Sequence, residues 1–246
     1  MAPNDSMAGK IVFCTGARRG IGLAAAKAFA DRGATVYAAD IIDETDPASL
    51  SSRIIQVKLD VRSEQEVSDL MDRIVSEQGK LDYAFNNAGI VLPSLEDEWN
   101  VERFQNLMDI NATGVMRCMK HELRIMKEAG SGAIVNTASS AGLVGLPGSV
   151  AYVASKHAVV GMTRAAALQY AGLGIRVNAV CPGPTETDML AIAKERRGTG
   201  KVMTGIPMGR RATPEEIADA VIWLCSDNSS YVTGHALPVD GGHVAG

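Results

Sequence analysis

The sequence predicts a single α/β domain, a doubly wound parallel sheet of about seven strands with helices on both faces. Three observations carry this expectation. Strand-like and helix-like patterns alternate from end to end, the strands are short, apolar and rich in β-branched residues, and a glycine-rich turn follows the first of them directly. Uninterrupted alternation makes the strands parallel, and strands covered by helices on both faces have no polar side to show.

In chain order, Ile11 to Cys14 is a short apolar strand, Leu23 to Arg32 a helix ended by Gly33, and Ala34 to Ala39 the next strand. Together they form a βαβ unit. Further strands are expected at 54–59, 81–85, 133–136, 176–180 and 236–239, and helices at 63–78, 101–128, 152–171 and 214–226. Ser63 with Glu66, and Thr213-Pro214 with Glu216, are start signals for two of these helices. Only residues 40–53 join the second and third strands, and Asp43-Glu44-Thr45-Asp46-Pro47 fills much of that length, so a loop with one helical turn is expected there. Residues 1–8 are expected to form a flexible tail, and 9–246 a single domain without repeats or linkers.

Bulk properties exclude several function classes. The net charge of −4 offers no basic footprint for nucleic acid, so none is expected as a partner. No apolar run approaches the ~18 residues that cross a bilayer, and the first residues lack the layout of a secretion signal. A cytoplasmic protein without membrane partners is expected. Cys14, Cys118, Cys181 and Cys225 are widely spaced within apolar or helical stretches, so all four read as buried thiols rather than as metal ligands or a redox pair.

Gly16, Gly20 and Gly22 follow a strand and open a helix, the context in which glycines serve nucleotide binding. Glycine permits the tight turn and lets a pyrophosphate approach the helix N-terminus, where free N–H groups and the helix dipole favour an anion. Asp40 stands at the end of the second strand, about twenty residues beyond the glycines. A carboxylate there can accept hydrogen bonds from both adenosine ribose hydroxyls and repels a 2′-phosphate, which points to NAD rather than NADP. Arg18 and Arg19 in the loop are the counterweight, able to attract that phosphate or to point to solvent.

Tyr152 and Lys156 are four residues apart and therefore share one helix face, with Ser139 thirteen residues upstream of the tyrosine. An ammonium one turn from a phenol favours the phenolate, and a hydroxyl such as Ser139 can hold a substrate oxygen. This is an acid/base arrangement for hydride exchange at an alcohol or carbonyl carbon. Ser140 competes with Ser139 by position. His157 points away from Tyr152 on the helix, and it, His121 and His235 read as structural or interfacial.

These residues resemble the short-chain dehydrogenase/reductase family over essentially the whole chain, which implies a Rossmann-type domain that is both dinucleotide-binding and catalytic. Thr15 to Gly22 is similar to its T-G-x-x-x-G-x-G cofactor motif, Asn86-Asn87-Ala88-Gly89 to its N-N-A-G motif, and Ser139, Tyr152 and Lys156 to its catalytic serine and Y-x-x-x-K. Asn111 matches its helix asparagine, Pro182-Gly183 and Thr187 its nicotinamide segment, and Val239-Asp240-Gly241-Gly242 its last strand and turn. The resemblance implies a catalytic set of Asn111, Ser139, Tyr152 and Lys156. It implies cofactor contacts from Gly16, Arg19, Gly20, Ile21, Gly22, Asp40, Ile41, Asp60, Val61, Asn87, Ala88, Gly89, Tyr152, Lys156, Pro182, Gly183, Thr185 and Thr187, with Asp60 at the adenine amino group. It further implies a distortion of the helix at Asn111, a water held there, and a proton exit from Tyr152 through the ribose hydroxyl, Lys156 and that water.

Leu143, Val144, Leu146, Met189 and residues up to Met208 are expected around the substrate, a secondary alcohol or ketone with a hydrophobic body. Arg196-Arg197-Gly198-Thr199-Gly200 has lid-like composition. Two readings from different classes follow: an NAD-dependent alcohol dehydrogenase, with an NADP-dependent carbonyl reductase as its variant, and a dinucleotide-binding protein without turnover. The long helices at 101–128 and 152–171 carry apolar residues on more than one face, which suggests a homotetramer or homodimer.

Overall fold

A computed structural model describes residues 6–42, 50–91, 99–187 and 205–245. The seven strands are β1 (Ile11–Thr15), β2 (Thr35–Asp40), β3 (Ile54–Lys58), β4 (Tyr83–Asn86), β5 (Gly132–Thr137), β6 (Ile175–Pro182) and β7 (Ala236–Val239). All are parallel, in the order β3-β2-β1-β4-β5-β6-β7. The order reverses between β1 and β4, so the connections leaving these two strands diverge and open a crevice at their carboxyl ends.

Alternate residues of the strands feed two cores. Ile11 and Phe13 of β1 join Val115, Met119, Ile134, Val159 and Val177 on one side, under α2 (Glu64–Gln78), α4 (Gly114–Ala129) and α5 (Val150–Tyr170). Val12 and Cys14 join Phe29, Val36, Val135 and Val221 on the other, under α1 (Gly20–Asp31) and α6 (Pro214–Cys225). All four cysteines are buried free thiols. The inner strands β1, β4, β5 and β6 therefore bury both faces, which is why they show no alternating polar pattern, while the edge strands β3 and β7 are only partly covered.

Three differences from the expected elements have physical causes. Helix α1 begins at Gly20, not Leu23, because the glycine turn runs straight into the first helical residues. The helix expected over 101–128 is two, α3 (Val101–Met108) and α4, separated by a π-turn at Asp109–Thr113 that contains Asn111, where the resemblance implied a distortion. Of the expected tail, residues 1–5 lie outside the described ones, whereas Met7 is buried, donates its N–H to Arg32 O at 2.8 Å and packs with Ala8 beneath Gly33. The loop expected at Asp43–Pro47 also lies outside the described residues.

Helix α6 is pinned at both ends. At its start Thr213 and Glu216 form the capping box read from the sequence, with Glu216 also paired to Arg210 at 2.6 Å. At its end the Arg176 guanidinium of β6 donates to the carbonyls of Leu224, Cys225 and Ser226 and to Ser229 Oγ. Thr213→Ala is expected to destabilise the protein by about 1 kcal/mol, read as a lowered urea midpoint with an unchanged slope.

Candidate active site

The glycine turn and the segment after β4 meet at the crevice. Thr15 Oγ1 accepts from the backbone N–H groups of Asn87 and Ala88, both at 3.0 Å, and Asn87 Nδ2 donates to Gly16 O at 3.1 Å. Gly16 has φ of 63°, and a Cβ there would stand 2.8 Å from Ala88 Cα. A Cβ on Gly22 would collide with Gly16 O and reach 2.6 Å from Asn87 Nδ2. This is a cradle that only backbone can line. Arg19 is its exposed rim, and Gly20, Ile21 and Gly22 open α1 with their N–H groups at a helix start, where an anion is favoured.

Asp40 ends β2 beside this turn. Its Oδ2 accepts from Arg18 N and its Oδ1 from Ile42 N, both at 3.1 Å, with Ile41 exposed beside it. Arg18 does not point to solvent: it is 5% exposed and its guanidinium bonds Ile42 O and the Gln56 side chain. Nothing in the residue type announced this, because the anchoring partners are a backbone carbonyl and a residue of the next strand. Arg62 engages both Asp60 oxygens and holds that carboxyl below its ordinary value. Val61 is buried against Gly114, where a Cβ would come within 2.8 Å of Val61 Cγ2.

On the opposite wall, Ser139 follows β5 and Tyr152 and Lys156 rise on α5. Ser139 lies beside the Tyr152 phenol and favours its ionised form. Lys156 Nζ lies 5.8 Å from the Tyr152 ring centroid and donates to Thr137 O at 2.8 Å. Sequence reasoning missed Thr137, since its contribution is a carbonyl. Asn111 sits within the π-turn, fully buried, accepting from Ile90 N at 2.8 Å and donating to Ile90 O and Ser155 Oγ. Gly89 stands between Asn111 and Lys156: a Cβ there would be 3.2 Å from Asn111 Oδ1 and 3.6 Å from Lys156 Nζ. Ser140 turns away into a buried helical turn, whereas Ser139 Oγ faces Tyr152 and also accepts from Ala141 N.

The electrostatics differ from the sequence expectation at one point. Burial pushes the Tyr152 phenol above its ordinary value, with Ser139 alone opposing, while burial also lowers Lys156 to about 8. In the ligand-free protein, therefore, desolvation outweighs any help the ammonium gives the phenol.

The remaining wall comes from the segment after β6. Gly183 is pressed to within 2.7 Å of Asp240 Cα when a Cβ is placed on it, Thr185 Oγ1 donates to Gly183 O, and Thr187 Cγ2 lies 3.1 Å from a Cβ placed on Gly20. The segment thus leaves β6 at Pro182 and Gly183 and reaches the glycine turn at Thr187. The expected pocket residue Met189 and the lid-like 196–200 lie outside the described residues. His121 bonds Glu64, and His157 bonds Val153 O on its own helix, away from this chemistry.

Because Thr15 Oγ1 satisfies two backbone donors, Thr15→Val leaves both without a partner. The expected result is a loss of about 1–3 kcal/mol in stability together with weaker dinucleotide binding, measured by denaturation and calorimetric titration.

A family model described as "Enoyl-(Acyl carrier protein) reductase" matches residues 16–243. The chain is 43% identical to 2,5-dichloro-2,5-cyclohexadiene-1,4-diol dehydrogenase of Sphingobium indicum, over 98% of this chain and 99% of that one. It is 42% identical to cis-4-hydroxycyclohexanecarboxylate dehydrogenase of Sinomonas cyclohexanicum, over the same shares. A solved structure of ElxO with NADP bound superposes with a TM-score of 0.89 at 33% identity, covering 96% of this chain and 99% of that one. With the cradle, the crevice and this similarity along nearly its full length, the chain belongs to the short-chain dehydrogenase/reductase family of nicotinamide-dependent oxidoreductases.

Proposed function

We propose that the protein is an NAD-dependent oxidoreductase that exchanges a hydride with a ring-borne secondary alcohol or its ketone, using Tyr152 as the acid/base. The observation that carries this reading is the meeting of Ser139, Tyr152 and Lys156 beside the glycine cradle. The cradle fits a dinucleotide because a Cβ at Gly16 or Gly22 would fill it. Gly16, Arg19, Gly20, Ile21 and Gly22 would take the pyrophosphate, Asp40 and Ile41 the adenosine ribose, and Asp60 and Val61 the adenine, while Asn87 to Gly89 would line the stretch between the glycine turn and Lys156. Pro182, Gly183, Thr185 and Thr187 would meet the nicotinamide, and Tyr152 and Lys156 its ribose. When bound, the cofactor supplies a carbon that takes up or returns hydride.

The chain's own residues do the rest. Ser139 orients the substrate oxygen and stabilises charge that develops on it. The Tyr152 oxygen removes the hydroxyl proton in oxidation and returns it in reduction. Lys156, held by Thr137 O, keeps a positive charge near that oxygen, and Asn111 secures the backbone beside it. Leu143, Val144 and Leu146, between Ser139 and α5, offer an apolar rim suited to an alicyclic body, and the dehydrogenase relatives named above have ring alcohols in their names.

Asp40 favours NAD through its carboxylate at the ribose position, and Arg18 is committed to Ile42 and Gln56. The exposed Arg19 and the NADP-bound ElxO neighbour support the second reading, an NADP-dependent carbonyl reductase. Self-association through the outer faces of α4 and α5 is part of the proposal, with Met116 61% and Leu168 88% exposed. A monomer in gel filtration would overturn that part.

Tyr152→Phe is expected to lower turnover by roughly 10²-fold or more while cofactor affinity persists. If Tyr152→Phe turned over normally, the assignment of the base would fail. Asp40→Ala is expected to shift the NADP/NAD ratio of kcat/KM upward by about tenfold; an unchanged ratio would remove Asp40 from cofactor selection. Because the phenol must lose its proton to act as base and lies above its ordinary value in the free protein, kcat/KM for oxidation should climb with pH across the neutral and mildly alkaline range. Reduction, which needs the protonated phenol, should not.

A further inference from the structure

A carboxyl group lies buried beneath the site floor, unused by the chemistry above. The inner face of α4 reads Val115, Cys118, Met119, Glu122, Ile125 and Met126, an apolar stripe at helical spacing interrupted by one acid, and Glu122 is 0% exposed. Asn86 Nδ2 donates to Glu122 Oε2 and to Asn136 Oδ1, both at 3.0 Å, and Asn136 Nδ2 donates to Thr163 Oγ1 at 3.0 Å. The chain of contacts runs from α4 through the paired ends of β4 and β5 to α5. Asn86 directly precedes the Asn87–Gly89 cradle wall, and Asn136 directly precedes Thr137, whose carbonyl holds Lys156.

The donors and acceptors of this network do not balance. Glu122 Oε1 and Asn86 Oδ1 are both buried without a hydrogen-bond partner. An ionised carboxylate would add a full buried charge to that deficit, whereas a proton on Glu122 removes the charge and supplies a donor. The titratable groups facing it are two buried thiols, Cys14 from β1 and Cys118 from α4, each raised in part by this carboxyl. From β4, β5 and α5 come Asn86, Asn136 and Thr163, which do not titrate. The acids of α2, Glu64 and Asp72, are spent on Lys120, His121 and Arg124 at the outer surface of α4, and Arg117 is bonded to Asp109.

We propose that Glu122 is a positioning residue that works as a neutral carboxylic acid, fixing the ends of β4 and β5 so that the cradle wall and the Lys156 anchor keep their register. This rests on the oxidoreductase reading above for its kinetic consequences, though not for the protonation itself. Burial pushes the carboxyl up to about 8 from 4.5, with the Asn86 amide opposing. The folded protein therefore holds a proton that the unfolded chain releases, and stability falls as pH rises between those values.

The test uses the full chain and three measurements. Infrared spectra of the wild type at neutral pH should show a protonated carboxyl band that vanishes in Glu122→Gln. Glu122→Gln should keep kcat and KM within about twofold, and its melting temperature should gain on that of the wild type as pH rises from 4.5 to about 8. Glu122→Leu, which cannot accept from Asn86, should lose roughly tenfold or more in kcat. Absence of the band, a Glu122→Gln variant as impaired as Glu122→Leu, or full activity in Glu122→Leu would each overturn the proposal. Should Glu122→Leu not fold, the band and the pH dependence of Glu122→Gln decide the matter. If the wild type oxidised no alcohol, the proposed function would fall, while the infrared band and the cofactor affinities of the variants would still judge Glu122.

Discussion

The close approach of two backbone segments, the turn after β1 and the segment after β4, is the constraint on which the site depends. The connections diverge there, so no crossover fills the gap, and the chain closes it with the smallest devices available. One hydroxyl, Thr15 Oγ1, accepts from two backbone N–H groups, and missing side chains at Gly16 and Gly22 let main chain lie against main chain. A lost hydrogen bond between buried partners is costly, whereas its net gain when made is modest, so such contacts specify geometry more than they add stability. Thr137 continues the device, bonding Asn87 through its hydroxyl and Lys156 through its carbonyl.

The same closeness sets the electrostatics. Excluding water penalises charge of either sign, which lowers Lys156 and raises Tyr152 together. A helical pair of phenol and ammonium is therefore not enough to produce a ready base. What the chain provides is a fixed separation, a serine beside the phenol that favours its ionised form, and a carbonyl that holds the ammonium; positive charge arriving with ligands would have to supply the remaining shift.

Much of this was readable from residue patterns. All seven strands lie where short apolar runs stood, and Ser139, Tyr152 and Lys156 share one wall, because helical spacing and strand ends fix directions that any reader of the sequence can follow. The less legible parts depend on partners distant in the chain. Arg18 could attract a phosphate or point to solvent as far as its position in the loop shows, and the structure instead commits it to Gln56 and the Ile42 carbonyl. The break at Asp109–Thr113 is invisible to periodicity, because α3 and α4 each keep their own stripe. Glu122 did carry a signal, an acid inside an apolar helical face, but its consequence required knowing that Asn86 and Asn136 pair across two strands.

The π-turn amounts to one residue more than an α-helix would hold over the same rise, with the Gly114 N–H reaching back to Asp109 O. It works as a local insertion that leaves the helices on either side aligned. Deleting a single residue from Asp109–Thr113 would let α3 and α4 fuse into one regular helix with both flanking stripes near their present orientation, so that α3 could keep its packing on α5. The bulge that carries Asn111 to Ile90 and Gly89 would be gone. Length in this stretch thus matters to the site rather than to the helix packing, and a shortened homologous helix here would have to forfeit the Asn111 contacts.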